Sequence, residues 1–242
     1  MGVVDTIMVG RVSAAALAAV ALGTLCFHAT ASFGQGLLLA LDPLVAQAVG
    51  AEDQPALARA VQRGLVLVVL VSIPIAAVLL AAEPLLRAAR QPAEVIPLAA
   101  AYVRASIPGL LPYLAFVVLR QSLQAMGHTR GIVVTIVVAN LANAGLNWLL
   151  IFGGAGLPAL GPVGTAWAST ICRWLMVGLL LAGGWRWLRP ALAPWRADAL
   201  RAGPIARMVR LGAPVGGQQL LEYGAFGAIG LLMGRLGTLE MA

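Results

Sequence analysis

The chain has 242 residues, of which 61% are hydrophobic and only 10% charged, and its mean hydropathy is +0.93. Soluble domains carry roughly 25% charged residues, so an ordinary soluble core is excluded; a bilayer, by contrast, accommodates this much apolar surface. The net charge of +7 comes from sixteen arginines and no lysine; with no aromatic–basic ladder or nucleic-acid motif beside it, it belongs to loops on one membrane face rather than to a nucleic-acid surface.

Taken in chain order, the first element is a short apolar remnant, Met1 to Val9. It has no charged n-region and no small-residue cleavage site, so it is not a signal peptide; it reads as the tail of a helix whose beginning is missing. Apolar runs follow from Ala14 to Val49, Leu57 to Ala82, Pro97 to Ala125, Ile132 to Phe152, Gly164 to Leu188 and Ile205 to Leu232. A span needs about 20 residues, so these predict an all-α integral membrane protein, a polytopic bundle of about six spanning helices. The first run is longer than one span and carries Gly34, Gly36 and Pro43, which predicts a tilt, a kink or a projecting end. Pro74, Pro108 and Pro112 predict helix bends. The stretch from Arg186 to Arg210 is expected to be a connector broken by Pro190, Pro194, Gly203 and Pro204.

Loop charges set the orientation. One face collects Arg59, Arg63, Arg120, Arg130, Arg186, Arg189, Arg196, Arg201, Arg207 and Arg210; the other holds Arg11, Arg87, Arg90, Arg104 and Arg235. The richer face, with the Arg186–Arg210 connector, is therefore expected to be cytoplasmic. Arg104, Arg120 and Arg173 are expected near span ends, where arginine snorkels. A short repeat relates MVGRVSAAALA at Met8–Ala18 to LMGRLGTLEMA at Leu232–Ala242, each placed where a span meets its outer loop. Repeated halves are a common architecture of secondary transporters. The repeat implies one whole unit, residues 1–188, a linker at 189–204, and the opening helix of a second unit at 205–242.

Few residues could carry chemistry. Asp5 sits in the apolar remnant, and an ionisable group at membrane depth usually faces the bundle interior and does work. Asn140, Asn143 and Asn147 share one face of a helix; a polar stripe on an apolar span points at protein or a cavity, whether for function or for helix–helix hydrogen bonding. Glu222 is a second intramembrane acid. Asp42 with Pro43 reads as a cap or kink. Cys26 and Cys172 read as small apolar residues, with no disulfide framework or metal site. His28 is expected in helix packing and His128 in a loop, without metal spacing. No HExxH, GxSxG, P-loop or clustered Asp pair is present, so an enzyme is not expected.

Several segments resemble one family. VDTIMVGR (Val4–Arg11), ALAAVALG (Ala16–Gly23), ALDPLVAQAVGAED (Ala40–Asp53), LQAMGHTR (Leu123–Arg130), LNWLLIFGGAGLPALGPVGTAWAST (Leu146–Thr170) and LGAPVGGQQLLEYGAF (Leu211–Phe226) are similar, in order, to the first seven helices of multidrug and toxic compound extrusion (MATE) transporters, the NorM-type branch above all. The family has two six-helix lobes, so the resemblance implies a partial chain: an N-terminal lobe with its first helix truncated, a cytoplasmic linker and helix seven. It implies a secondary active antiporter of the bacterial cytoplasmic (inner) membrane, exporting amphipathic, often cationic compounds in exchange for H⁺ or Na⁺.

The resemblance further implies that Asp5, Asn143, Asn147 and Thr165 form the N-lobe cation or proton site; Asn140, on the same polar stripe, is a candidate accessory. Glu222 would belong to a second site whose partners lie on later helices. Carboxylate, amide and hydroxyl oxygens suit Na⁺; the same amides can equally hydrogen-bond a protonated carboxyl. No other cofactor is implied. Expected partners are membrane lipid and drug-like small molecules, not nucleic acid, and the full-length form is expected to be monomeric. Two alternatives stand beside this: a lipid-linked oligosaccharide flippase of the same superfamily, and a non-transporting fragment.

Overall fold

A computed structural model describes residues 2–154, 156 and 158–236. The described residues are helical almost throughout, in the order α1 (Gly2–Gly10), α2 (Ala14–Leu39), α3 (Leu41–Gly50), α4 (Gln54–Leu80), α5 (Ala82–Ala88), α6 (Ile96–Ser106), α7 (Leu110–Ala125), α8 (Arg130–Phe152), α9 (Pro162–Leu192) and α10 (Ala202–Leu236). Five segments are long and apolar enough to cross a membrane: 14–50, 54–80, 96–125, 130–152 and 162–192. The sixth apolar run lies within the 35-residue α10, where Gln218, Gln219 and Glu222 dilute the hydropathy. The bundle wears its apolar residues outward: Ile73 is 65% and Leu141 70% exposed, alongside Val69, Leu70, Val133 and Val137. Such a surface is stable only against lipid, and the chain is a multi-pass membrane protein.

The breaks have local causes. Pro43 has no N–H to give the carbonyl of Leu39; α2 accordingly ends there and α3 starts two residues later. Ser13 opens α2 by accepting the N–H of Ala16 at 3.0 Å, and Asp53 opens α4 by accepting that of Ala56 at 2.8 Å. Pro108 lies in a 3₁₀ turn, Ile107–Gly109, that separates α6 from α7. Pro74, by contrast, lies inside an unbroken α4.

The connector is shorter than its prolines suggest. Helix α9 runs through Pro190 to Leu192, and Gly203 and Pro204 already belong to α10. Proline is tolerated in a helix's first turn, and at a helix's wet end the one lost hydrogen bond is replaced by solvent. Only 193–201 is non-α, with a 3₁₀ turn at Ala197–Leu200. This connector is fastened to α4 by Gln62, which is fully buried. Its amide donates to the carbonyls of Ala191 (3.1 Å) and Pro194 (3.1 Å) and accepts the N–H of Arg196 (2.9 Å). A buried side-chain amide thus satisfies carbonyls that the end of α9 leaves orphaned.

The main core gathers α2, α3, α4 and α7 around Phe27, Leu38, Leu41, Leu67 and Leu114. Helix α10 lies along α2 at backbone contact. A Cβ on Gly36 would collide with the backbone of Gly216, one on Gly216 would lie 2.8 Å from the carbonyl oxygen of Phe33, and one on Gly212 would strike Leu37. Gly212 and Gly216 form the GxxxG spacing that brings membrane helices together. The glycines expected to bend α2 therefore serve packing instead. Charges segregate to opposite ends: Glu83 pairs with Arg87 (2.7 Å) and Arg104 (2.5 Å) at one, while Arg63 reaches the carbonyl of Asp198 (3.3 Å) at the other. Residues 237–242, the greater part of the second repeat copy, lie outside the described residues.

Replacing Gly36 with Val should therefore lower the thermal unfolding midpoint in detergent, because the opposing atoms are backbone and cannot give way; a loss of at least about 1–3 kcal/mol is expected. Gly145→Ala, where nothing lies within 4 Å of the added methyl, is the control and should lose nothing. Equal midpoints for the two variants would refute the close crossing.

Candidate functional site

Three helices bring polar groups to one point in the apolar interior. Asp5 of α1 is only 6% exposed, and Asn143, Asn147 and Thr165 are fully buried. The amide of Asn147 donates to Asp5 Oδ1 at 2.5 Å and also lies 3.2 Å from Asn143 Oδ1. Asn143 and Asn147 are one turn apart on α8, so their amides stack along one face. From α9, Ser169 donates to Asp5 Oδ2 at 3.3 Å. Thr165 lies one turn before Ser169 and on the same face of α9. Both carboxylate oxygens of Asp5 thus have donors, which is what an acid held among apolar helices requires.

The group is not saturated. Asn147 Oδ1, Thr165 Oγ1 and Asn143 Nδ2 are buried and have no hydrogen-bond partner. Two of the three are oxygens, neutral acceptors beside a carboxylate. Such a donor set fits a hard monovalent cation, and equally fits a proton on Asp5 shared with a neighbouring amide oxygen.

Close packing holds the three helices at this spacing. A Cβ on Gly164 would meet the backbone of Leu150, so the start of α9 lies directly on the end of α8. Thr170 donates to the carbonyl of Ala105 at 3.0 Å and ties α9 to α6. Val9, Ala16, Tyr102, Ile151 and Ala166 pack as a small apolar cluster beside the polar group.

Asp5 also borders a cavity of about 350 Å³ with Thr24, His28, Tyr113, Asn140 and Arg173 on its walls. Arg173 is not at a span end, as expected, but well inside α9. Its guanidinium lies over the ring of Phe27, 4.0 Å from the centroid, and 5.5 Å from that of Tyr113. The rings take the place of water that a snorkelling arginine would reach. Room for it comes from the 3₁₀ turn: a Cβ on Gly109 would lie 3.0 Å from Arg173 Nη1. His28 packs edge-on against Phe27 and Tyr113, as expected of a packing residue, and faces the cavity as well.

The structure brings together Asp5, Asn143 and Asn147, and sets Thr165 on the helix face that Ser169 extends. Asn140 is different: it donates to the carbonyl of Ile136 at 2.8 Å and lines the cavity. Glu222 is exposed on α10 and makes no hydrogen bond or ion pair with the Asp5 group among the described residues. Sequence reasoning missed Ser169 and the burial of Arg173. Ser169 is four and Arg173 eight residues beyond Thr165 on α9, so its helical face was the available signal.

Comparison with known proteins is consistent. The family model described as MatE matches residues 1–149. The chain is 36% identical over 244 residues to the "Probable multidrug resistance protein NorM" of Bradyrhizobium diazoefficiens, covering 98% of this chain and 52% of that protein. It is 36% identical over 248 residues to the "Multidrug resistance protein MdtK" of Cronobacter sakazakii, covering 100% of this chain and 54% of that one. Among solved structures, the eukaryotic MATE transporter AtDTX14 superposes with a TM-score of 0.86 at 26% identity, over 96% of this chain and 51% of that one. The chain spans about half the length of the curated relatives it matches.

If the amide of Asn147 holds Asp5 in place, their effects are coupled. Asp5→Asn and Asn147→Ala should each destabilise the protein in detergent, and the double variant should fall short of the sum by about 1 kcal/mol or more. Additivity within about 0.5 kcal/mol in a denaturation cycle would remove the hydrogen bond from the account.

Proposed function

The chain belongs to the MatE family, and from that premise we propose that it forms the N-terminal lobe and the first helix of the second lobe of a secondary active multidrug efflux antiporter in the bacterial cytoplasmic membrane. One observation carries this reading: a carboxyl group buried where α1, α8 and α9 meet, ringed by amide and hydroxyl groups and open to a cavity. Amphipathic, often cationic organic compounds are the proposed substrates, exchanged for H⁺ or Na⁺. A bound Na⁺ supplies neutralising charge, and a proton does the same by occupying a carboxylate oxygen.

The chain's own residues do the rest. Asp5 holds the exchangeable charge. Asn147 and Ser169 orient its two oxygens, and Asn143 fixes the amide of Asn147. Thr165 and Asn147 Oδ1 offer the remaining oxygens. Neutralising the carboxylate removes the need for strong donors around it, and this gives the coupling ion a means of loosening α1 from α8 and α9. Repacking of these helices then alters the adjoining cavity, as alternating access demands. Glu222 takes the corresponding role on α10 toward the second lobe. Homologues bearing multidrug resistance names support efflux over the flippase alternative. So does the cavity, where a single arginine already lies over aromatic rings instead of several cations facing an anionic head group.

In the full-length protein, Asp5→Asn should reduce efflux of a fluorescent cationic amphiphile to the level of cells lacking the transporter, with membrane expression unchanged. Efflux retained at the unsubstituted rate would overturn the assignment of Asp5.

A further inference from the structure

At the arginine-rich end, a second cavity of about 630 Å³ opens between the α3–α4 turn and the base of α10. Three arginines line it: Arg59 and Arg63, one turn apart on α4, and Arg207 on α10. We propose that this cavity binds the phosphate group of an anionic phospholipid, placed between the first lobe and α10.

Like charges gathered on neighbouring helices repel one another unless an anion lies among them. Two acids, Asp53 and Asp198, lie nearby, but neither closes on the arginines. Asp53 is on the wall, but its carboxylate accepts the N–H of Ala56 as the cap of α4. Asp198 meets Arg63 through its backbone carbonyl, at 3.3 Å. Neither acid forms an ion pair with the three arginines among the described residues. Arg63 also keeps its Nε buried and without a hydrogen-bond partner, so its guanidinium is short of acceptors. A phosphate, with several acceptor oxygens, answers a set of guanidinium donors.

The other walls choose the source of the phosphate. Leu44, Ala48, Met208 and Leu211 give the cavity an apolar side, and it lies at the end of the bundle where the spans leave the bilayer. An acyl chain covers that side while the head group meets the arginines; a free phosphate ion would leave it bare. Basic pockets between helices on the cytoplasmic side are where anionic head groups are held. Because Arg59 and Arg63 belong to the first lobe and Arg207 to α10, one lipid would touch both.

The full chain purified in detergent, read by native mass spectrometry, tests this without reference to transport, so its outcome is separate from that of the efflux reading. Phosphatidylglycerol should be retained by the unsubstituted protein, with phosphatidylcholine and inorganic phosphate retained far less. Each arginine contributes roughly fivefold in affinity at such a surface, so R59Q/R63Q/R207Q should bind phosphatidylglycerol about a hundredfold more weakly. The corresponding triple lysine variant should keep most of the binding. R87Q, paired with Glu83 at the opposite end, should behave as the unsubstituted protein. If the triple glutamine variant does not fold, the three single variants carry the test, each losing about fivefold. Retention unchanged by the substitutions, or phosphatidylcholine held equally well, would overturn the proposal. Inorganic phosphate that binds alone and displaces phosphatidylglycerol would overturn the lipid and leave a phosphate-ion site.

Discussion

A carboxyl group inside an apolar bundle is the constraint around which this fold is arranged. Asp5 is almost wholly buried, so its oxygens depend on donors within the protein. Those donors come from two helices far along the chain, Asn147 on α8 and Ser169 on α9. Helix α1 is thereby tied to α8 and α9. Among the described residues, Val9 and its neighbours add apolar contacts, but lipid offers such surfaces equally well.

The same shortage of hydrophobic driving force explains how the rest is held. Helices in lipid associate through close backbone approach and internal hydrogen bonds, and both devices recur at the places that matter. Glycines let α10 lie on α2 and α9 on α8. Gln62, wholly buried, closes the carbonyls at the end of α9 and anchors the connector to α4. The 3₁₀ turn at Gly109 leaves space for Arg173, whose charge is met by the faces of Phe27 and Tyr113. Polar groups thus occupy defined stations along the bundle, and much of the exterior along the spans is apolar.

Much of this was legible in the sequence because lipid imposes a simple rule on a chain. Spans are runs of apolar residues between short polar breaks; α4, α8, α9 and α10 each coincide with one to within a few residues, while the runs from Ala14 and Pro97 are each divided between two helices. Asp5 stood out for the same reason, as an acid where none is expected, and the spacing of Asn143 and Asn147 fixed their common face. What was not legible depends on which neighbour a residue meets. Gly34 and Gly36 look alike in sequence, yet a methyl on Gly36 meets a backbone while one on Gly34 meets the side chains of Ile75 and Val71. Pro190 and Pro204 suggested a broken connector, but a proline at a helix end offends only one hydrogen bond.

Arg173 makes the point most sharply. An arginine eleven residues into a 31-residue helix can in principle snorkel along the span, as the sequence led one to expect, be neutralised by an acid, or sit on aromatic faces. The choice is made by Phe27 on α2 and Tyr113 on α7, residues distant in sequence whose rings converge only once the helices have packed. With its charge spread over two rings, Arg173 borders the same cavity as Asp5 without pairing with it. The cavity therefore presents a cation and an acid on separate supports, each held by its own neighbours. A change at the Asp5 carboxyl can then alter the field in the cavity without first breaking an ion pair. In the proposed exchange, neutralising Asp5 would then loosen α1 from α8 and α9 with no ion pair to Arg173 to break first.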